Sequence, residues 1–205
     1  MKTRAAVLYE MGAKKPYKES KPLKIEYLEL DDSSEHEVLI KIHAAGLCHS
    51  DLSVINGNRP RPLPMALGHE ASGEVIKVGK AVTRVSEGDH VVCTFIPSCG
   101  KCIPCKEGRP ALCENGAISN EKGEMLEGGV RLSNDEGKVY HHLGISGFAE
   151  YSVVSENSIV KIDKKIPFER AAAFGCAIIT GIGAVVNTAQ IRSGSRSEER
   201  RVGKE

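Results

Sequence analysis

The feature that most constrains this chain is a run of four cysteines with the spacing C-x2-C-x2-C-x7-C, at Cys99, Cys102, Cys105 and Cys113. Four thiolates on one loop can complete a tetrahedral zinc site with no open coordination position, which stabilises a loop and cannot hold a catalytic water. An iron–sulfur cluster is the rival, but ferredoxin runs leave only three residues between the third and the fourth cysteine and follow the fourth with proline. Here Glu114 follows Cys113. The spacing therefore favours one structural zinc.

The N-terminus and the charge balance narrow the class of protein. The first residues, MKTRAAVLYEMGAKK, contain no apolar run long enough for a signal peptide, so we expect a reducing cytoplasm in which clustered cysteines bind metal. The formal net charge is +1 and the basic residues are dispersed, which favours neither a nucleic-acid nor a membrane partner. The apolar stretch 171–186 is short and interrupted, so it is interpreted as a buried helix rather than a membrane span.

Strand signals dominate the first 165 or so residues. Residues 37–43 alternate, with Val38, Ile40 and Ile42 on one face, and a short helix is expected in HSDLSVI after Cys48. Many short strands separated by glycine predict a sandwich or a small barrel. Residues 116–143 are polar and glycine-rich and are predicted to form a long loop. The other predicted strands cover residues 4–9, 24–30, 73–78, 90–95 and 148–154.

The pattern changes at Pro167, where an alanine-rich segment with helical apolar spacing begins. We expect two consecutive helices that break near Gly175. The organisation predicted is a β-rich domain at 1–166, the helical start of a second domain at 167–195, and a charged tail, RSEERRVGKE, at 196–205. The tail resembles a translated sequencing adapter, so it is expected to be non-native and the gene truncated; a genuine charged tail is the alternative.

A second group of metal ligands is scattered along the chain. The motifs GLCHSD, GHE and FGC contain Cys48, His69 and Cys176, which together would make a Cys2His site with one vacant position, as in catalytic zinc. Taken singly, a cysteine in an apolar helix or a lone histidine is more often a core residue. Their occurrence together with the four-cysteine run favours the metal site.

The order of these motifs, GLCHSD, GHE, C-x2-C-x2-C-x7-C and GCAIITG, resembles the zinc-dependent medium-chain alcohol dehydrogenases from about Lys2 to Gly194. The resemblance implies a mainly β fold, a GroES-like barrel catalytic domain, followed by the first helices leading into an absent Rossmann domain. It also implies a homo-oligomer in the full-length enzyme. On this view the 205-residue chain belongs to an enzyme family but is expected to be inactive by itself.

The resemblance further implies a role for individual residues. Cys48, His69 and Cys176 would bind a catalytic zinc, and the four clustered cysteines a structural one. Glu70 matches a carboxylate near the metal that can transiently replace the bound water. Ser50 matches the hydroxyl that takes the alcohol proton, and Asp51 a carboxylate that orients His69. From the residues alone, Ser50 could instead be a helix N-cap and Asp51 a first-turn acid.

Further positions are carried over with one departure. His49 matches a residue that contacts the coenzyme pyrophosphate, Thr180 one near the nicotinamide, and Phe95 a wall of the alcohol pocket. Relatives often end the proton relay on a histidine where this chain has Ser53, so the proton would leave through ribose and water or through another group. Cys93 is interpreted as a core residue. The pair His141 and His142 is predicted to be a solvated loop segment without a role.

The function implied is hydride transfer between a small alcohol or aldehyde and NAD or NADP, with zinc lowering the pKa of the alcohol. Within the family, residues 116–143 and the motif HHLGISGFAEY look most like the glutathione-dependent formaldehyde dehydrogenase branch and related bacterial enzymes. An alternative is a non-enzymatic zinc-bearing GroES-like binding module, which would leave Cys48, His69 and Cys176 without a role. A zinc-ribbon nucleic-acid module is a third, disfavoured by the charge and the few aromatic residues.

Overall fold

A computed structural model describes residues 1–196. Short helical turns lie at 110–112, 156–158, 172–175 and 184–188, in addition to the strands and α-helices whose bounds follow. The strands are β1 (Lys2–Leu8), β2 (Leu23–Leu30), β3 (Glu37–Gly46), β4 (Met65–Ala66), β5 (Glu70–Val78), β6 (His90–Cys93), β7 (Leu132–Asn134), β8 (Gly137–His141), β9 (Tyr151–Ser155) and β10 (Ile159–Lys161). The helices are α1 (Tyr17–Ser20), α2 (His49–Ile55), α3 (Ile103–Lys106), α4 (Glu114–Lys122), α5 (Phe168–Ala171) and α6 (Ala177–Gly183).

The strands form a closed barrel and a second sheet. The barrel contains β1, β2, β7, β8 and β4, in that order, with β4 and β8 parallel; the five-stranded antiparallel sheet has the order β10, β6, β5, β3, β9. The cores are aliphatic, as the scarcity of aromatic residues requires, and Cys93 is fully buried in one of them. The predicted mainly β fold is confirmed.

The pairing of β3 with β5 determines where the candidate metal ligands Cys48 and His69 lie. The last residue of β3, Gly46, is paired with the first residue of β5, Glu70. Cys48 follows β3 by two residues and His69 directly precedes β5, so antiparallel pairing brings both to the same sheet end. Cys48 is also the N-cap of α2, the helix expected from HSDLSVI.

Residues 116–143 are more ordered than the sequence predicted. The expected long loop contains most of α4 together with β7 and β8, so this prediction is wrong. Helix α4 has little amphipathic character, which hides it from the sequence pattern. It is fixed by contacts outside the helix: the Asn120 side-chain amide donates to the Phe95 carbonyl at 2.8 Å, and a Cβ on Gly116 would collide with the carbonyl oxygen of Pro97.

The segment after Pro167 is helical, beginning with α5 and continuing through the turn at 172–175 into α6. It is docked on the sheet, because the Ser72 hydroxyl donates to the Phe168 carbonyl at 2.6 Å. At the predicted break, buried Gly175 lies so close to β6 that an ideal Cβ would be 3.0 Å from the Cys93 carbonyl carbon and still closer to its oxygen. This contact positions the next residue, Cys176.

Within residues 1–196, no single helix has the length and apolarity to cross a membrane; the two helical stretches 168–175 and 177–188 pass that test only together, and they are bent by 52°. The division at 166/167 coincides with the start of the helical segment and stays a prediction. Apart from Arg196, the expected non-native tail lies outside the described residues.

Candidate metal centres and active site

The four clustered cysteines converge in a lobe built from α3, α4 and the turn between them. Their sulfur atoms all lie within 4.8 Å of one another, and Cys102 Sγ is 3.9 Å from Cys113 Sγ. Cys102 is the N-cap of α3 and Cys113 the N-cap of α4. Two helices of the lobe thus begin directly after candidate ligands, and the thiols face one another. Such a set fits one tetrahedral zinc with no open position.

Backbone N–H groups prepare these sulfurs for the charged form. Cys99 Sγ accepts from the N–H groups of Lys101 and Cys102, each at 3.4 Å, and these bonds lower the pKa of Cys99 to about 6. Burial and the neighbouring thiols instead raise the pKa of Cys105 to about 12. Neighbouring thiols cannot all ionise together unless a cation compensates them, and divalent zinc supplies that charge.

A second cluster lies at the end of the sheet where β3 and β5 meet. One donor atom each from Cys48, His69, Glu70 and Cys176 lies within 4.8 Å of the other three. Burial, with Cys48 and Glu70 adding negative charge, raises the pKa of Cys176 to about 12. Gly46 leaves room for the carboxylate, because a Cβ there would be 2.5 Å from Glu70 Oε2. Two sulfurs, one imidazole and a carboxylate that can move fit an open catalytic zinc site.

Asp51 connects this cluster to the start of α2. Its Oδ2 accepts from the Cys48 backbone N–H at 3.1 Å, and its Oδ1 lies 3.1 Å from Nδ1 of His69, whose Nε2 is then free for a metal. Burial raises the pKa of Asp51, but the imidazoles of His142 and His69 outweigh it and hold the pKa well below its usual range. Asp51 is therefore both a first-turn acid and a partner of His69.

The prediction that His141 and His142 are solvated is wrong. Their exposed fractions are 0% and 1%. His141 bonds Ser146 Oγ at 3.0 Å through Nδ1 and accepts from the Arg131 backbone N–H through Nε2, while His142 faces Asp51. The signal that could have found them is the apolar context VYHHLGI, in which a strand of period two turns His141 inward with Val139.

The remaining candidate residues surround the second cluster. Ser50 is half-buried at the second position of α2, so it is not the N-cap. His49 is exposed, and Ser53 Oγ, 3.3 Å from His49 Nδ1, donates to the His49 carbonyl at 3.0 Å. Thr180 is exposed on α6 and lines, with Phe95, a cavity of about 400 Å³. Two residues that line this cavity are neighbours of cluster residues: the Phe95 ring meets His69 edge-on at 6.4 Å between centroids, and Gly175 directly precedes Cys176.

Comparison with known proteins agrees with this geometry. Residues 34–164 match the family model described as "Alcohol dehydrogenase GroES-like domain". The chain belongs to this family. Among curated proteins of the family, it is 44% identical over 176 residues (85% of this chain, 46% of the relative) to alcohol dehydrogenase class-3 of Drosophila melanogaster. It is 41% identical over 195 residues (95% and 51%) to S-(hydroxymethyl)glutathione dehydrogenase of a Synechocystis strain.

Solved structures of the GroES-like family give the same result. An alcohol dehydrogenase zinc-binding domain protein from Burkholderia ambifaria matches with a TM-score of 0.85 and 37% identity, over 95% of this chain and 51% of that one. Benzyl alcohol dehydrogenase from Acinetobacter calcoaceticus matches with a TM-score of 0.79 and 37% identity, over 91% and 48%. The chain thus spans about half the length of the relatives it matches.

Proposed function

We propose that this chain is the catalytic domain of a zinc-dependent alcohol dehydrogenase that transfers hydride between a small alcohol or aldehyde and NAD or NADP. The observation that carries the proposal is the convergence of donor atoms from Cys48, His69 and Cys176, with Glu70 as a fourth, displaceable donor. Dehydrogenases among the similar curated proteins and among the similar solved structures support the reaction class. The four-cysteine lobe would bind a second, structural zinc, giving two per chain.

Each residue then has a defined task. Zinc bound by Cys48, His69 and Cys176 supplies Lewis acidity, which lowers the pKa of an alcohol hydroxyl. Asp51 fixes the ring of His69 through Nδ1 and ties it to the backbone of Cys48. Glu70, buried and next to the ligand atoms, provides negative charge that can approach or leave the metal.

The residues around the cluster bind substrate and move the proton. Ser50, at the second position of α2, would accept the hydroxyl proton of the alcohol, and Phe95 would exclude water at one wall of the cavity. His49 and Thr180 are exposed and available for the coenzyme, to its pyrophosphate and near its nicotinamide. Because Ser53 stands where relatives often have a histidine, and donates its hydroxyl to the His49 carbonyl, the proton would leave from Ser50 through bound ribose and water or through another group.

The setting follows from the same relatives. The likeness to S-(hydroxymethyl)glutathione dehydrogenase and to class-3 alcohol dehydrogenase supports a substrate within the alcohol and aldehyde class, with the formaldehyde-type branch as first candidate. We place the protein in the cytoplasm, where cysteines stay reduced and bind metal. We also propose a homo-oligomer for the full-length enzyme, without nucleic-acid or membrane partners.

Metal analysis with matched variants tests the proposal. The purified chain is expected to contain two zinc ions, Cys48→Ala one, and Cys102→Ser, its control in the other site, also one. In the protein encoded by the complete gene, Cys48→Ala should abolish alcohol-dependent reduction of NAD or NADP while the structural zinc stays bound. A wild-type chain with zinc only in the four-cysteine lobe would instead favour the non-enzymatic binding module, and turnover by Cys48→Ala would refute the assignment of the catalytic metal.

A further inference from the structure

The ring of the buried histidine His142 lies against Asp51. Its Nδ1 lies 3.1 Å from Asp51 Oδ1, an approach too oblique for a regular hydrogen bond, and within residues 1–196 neither ring nitrogen has a hydrogen-bonding partner. The ring also meets that of His69 edge-on, with the centroids 5.3 Å apart. A fully buried imidazole with unpaired nitrogens costs stability, since desolvating a polar group without a partner is unfavourable. Its placement against Asp51 therefore requires an explanation.

We propose that His142 is a positioning residue for the candidate zinc ligand His69 and acts through Asp51. This inference rests on the proposed function, in which His69 binds zinc. Asp51 Oδ1 lies between Nδ1 of His69 and Nδ1 of His142, while Oδ2 is occupied by the Cys48 backbone. Two imidazoles thus confine one oxygen from two sides, and the carboxylate can turn neither away from His69 nor away from Cys48.

The orientation of the metal ligand His69 then depends on two residues in series, Asp51 and His142, rather than on a single carboxylate. His142 fixes Asp51, Asp51 fixes the ring plane and tautomer of His69, and His69 presents Nε2 to the metal. When His142 is removed, the buried Asp51 carboxylate loses one of its two neighbouring imidazoles and gains freedom to rotate. Outer-shell groups of this kind typically change metal affinity by about 10–100-fold when mutated.

One donor atom each from Asp51, His69 and His142 lies within 4.8 Å of the other two, so these residues could also be interpreted as a metal site of their own. This second interpretation conflicts with the bonding of His69, because its Nδ1 is already paired with Asp51 and its other nitrogen is needed in the cysteine cluster. The two interpretations differ in stoichiometry: a positioning residue leaves two zinc ions per chain, and an additional site gives three.

The test is zinc competition against a chromophoric chelator with the purified chain. The class of zinc that Cys48→Ala removes reports on the His69 site, and the four-cysteine class is an internal standard for folding. His142→Gln places its amide near the Nε2 position and leaves Nδ1 without a substitute, so we expect the Cys48-dependent class to weaken at least about tenfold. His142→Asn carries an amide N–H near Nδ1 and should restore affinity to within about threefold of wild type. His141→Gln, in the adjacent and equally buried position, is the matched control and should leave this class unchanged.

Each outcome decides a different question. If His142→Gln leaves the Cys48-dependent class unchanged, or if both zinc classes weaken together, the positioning role is refuted and the proposed function stands. Equal effects of His141→Gln and His142→Gln, or no rescue by His142→Asn, also refute it, as does a third zinc ion that His142→Gln removes. A wild-type chain without any Cys48-dependent zinc overturns the proposed function, and the inference falls with it.

Discussion

Replacing Gly175 with alanine should weaken the candidate catalytic metal site without touching a ligand. The ideal Cβ would lie 3.0 Å from the Cys93 carbonyl carbon and well inside contact distance of the carbonyl oxygen. Both are backbone atoms of β6, so no side chain can rotate away, and the segment that carries Cys176 must move by roughly 1 Å. Metal–ligand distances in an intact site stay within about 0.2 Å of their standard values, so a larger shift of Cys176 would disturb the site. Overpacking of this kind costs about 1–3 kcal/mol.

Two measurements follow from this geometry. For a chain of this size, a loss of about 1–3 kcal/mol lowers the Tm by roughly 2–12 °C, measured by circular dichroism with chelator present. In zinc competition, the Cys48-dependent class should weaken by about tenfold or more, and the four-cysteine class should not. Gly181→Ala is the control, because a Cβ there meets nothing within 4 Å and alanine favours the helix. Wild-type Tm and zinc affinity in Gly175→Ala would show that the close approach does not position Cys176.

Two further predictions concern buried charge and pH. Arg131→Met should lower the free energy of unfolding by about 3–5 kcal/mol in urea titrations, because Glu37 is fully buried and bonded to Arg131 by two 2.8 Å contacts. Lys2→Met is the control: it breaks the exposed pair with Glu29 and should lower the free energy of unfolding by less than about 1 kcal/mol. Burial, together with Arg131, lowers the pKa of His141 to about 3, so between about pH 6.5 and pH 3 the unfolded chain binds a proton that the folded chain does not. Stability should therefore fall with decreasing pH by about 1.4 kcal/mol per unit for this group.

The refuting results are distinct. Equal destabilisation by Arg131→Met and Lys2→Met would show that the buried pair contributes no more than a surface pair. For the pH prediction, urea titrations between pH 4 and pH 6 should show a shallower slope of stability against pH in His141→Gln than in the wild type. An unchanged slope in the variant would mean that His141 is already protonated in the folded protein.

The sequence predicted what depends on local pattern and failed where tertiary contacts decide. The alternation Val38, Ile40, Ile42 indicated β3, and the cysteine spacing indicated the lobe, because both are local regularities. Helix α4 was missed since polar residues cover most of it and its stability comes from contacts such as Asn120 with Phe95. The convergence of Cys176 on His69 could be expected only from the family resemblance, because it depends on the packing of Gly175 against β6.

His142 shows a different kind of failure. Two adjacent histidines in a segment interpreted as a loop suggest solvent exposure, since histidine alone carries no signal of burial. Burial of His142 follows from β8, which pairs with both β7 and β4 and ends at His141, so that His142 directly follows it and its backbone N–H donates to the Ala66 carbonyl. That pairing is long-range, and a sequence pattern does not show which polar residues it will enclose.

The positions of the two metal-ligand sets along the chain imply an order of assembly. The four lobe cysteines lie within one short loop, so bringing them together closes little chain and can occur while the barrel is still unfolded. His69 and Cys176, in contrast, are separated along the chain by strands β5 to β10. Their site exists only once β3, β5, β6 and the final helices have packed. We therefore expect the lobe to capture zinc early in folding and the site at the end of the five-stranded sheet to capture it last. During refolding, the first zinc ion would therefore affect the folding pathway, and the second would bind only to chains that have completed folding.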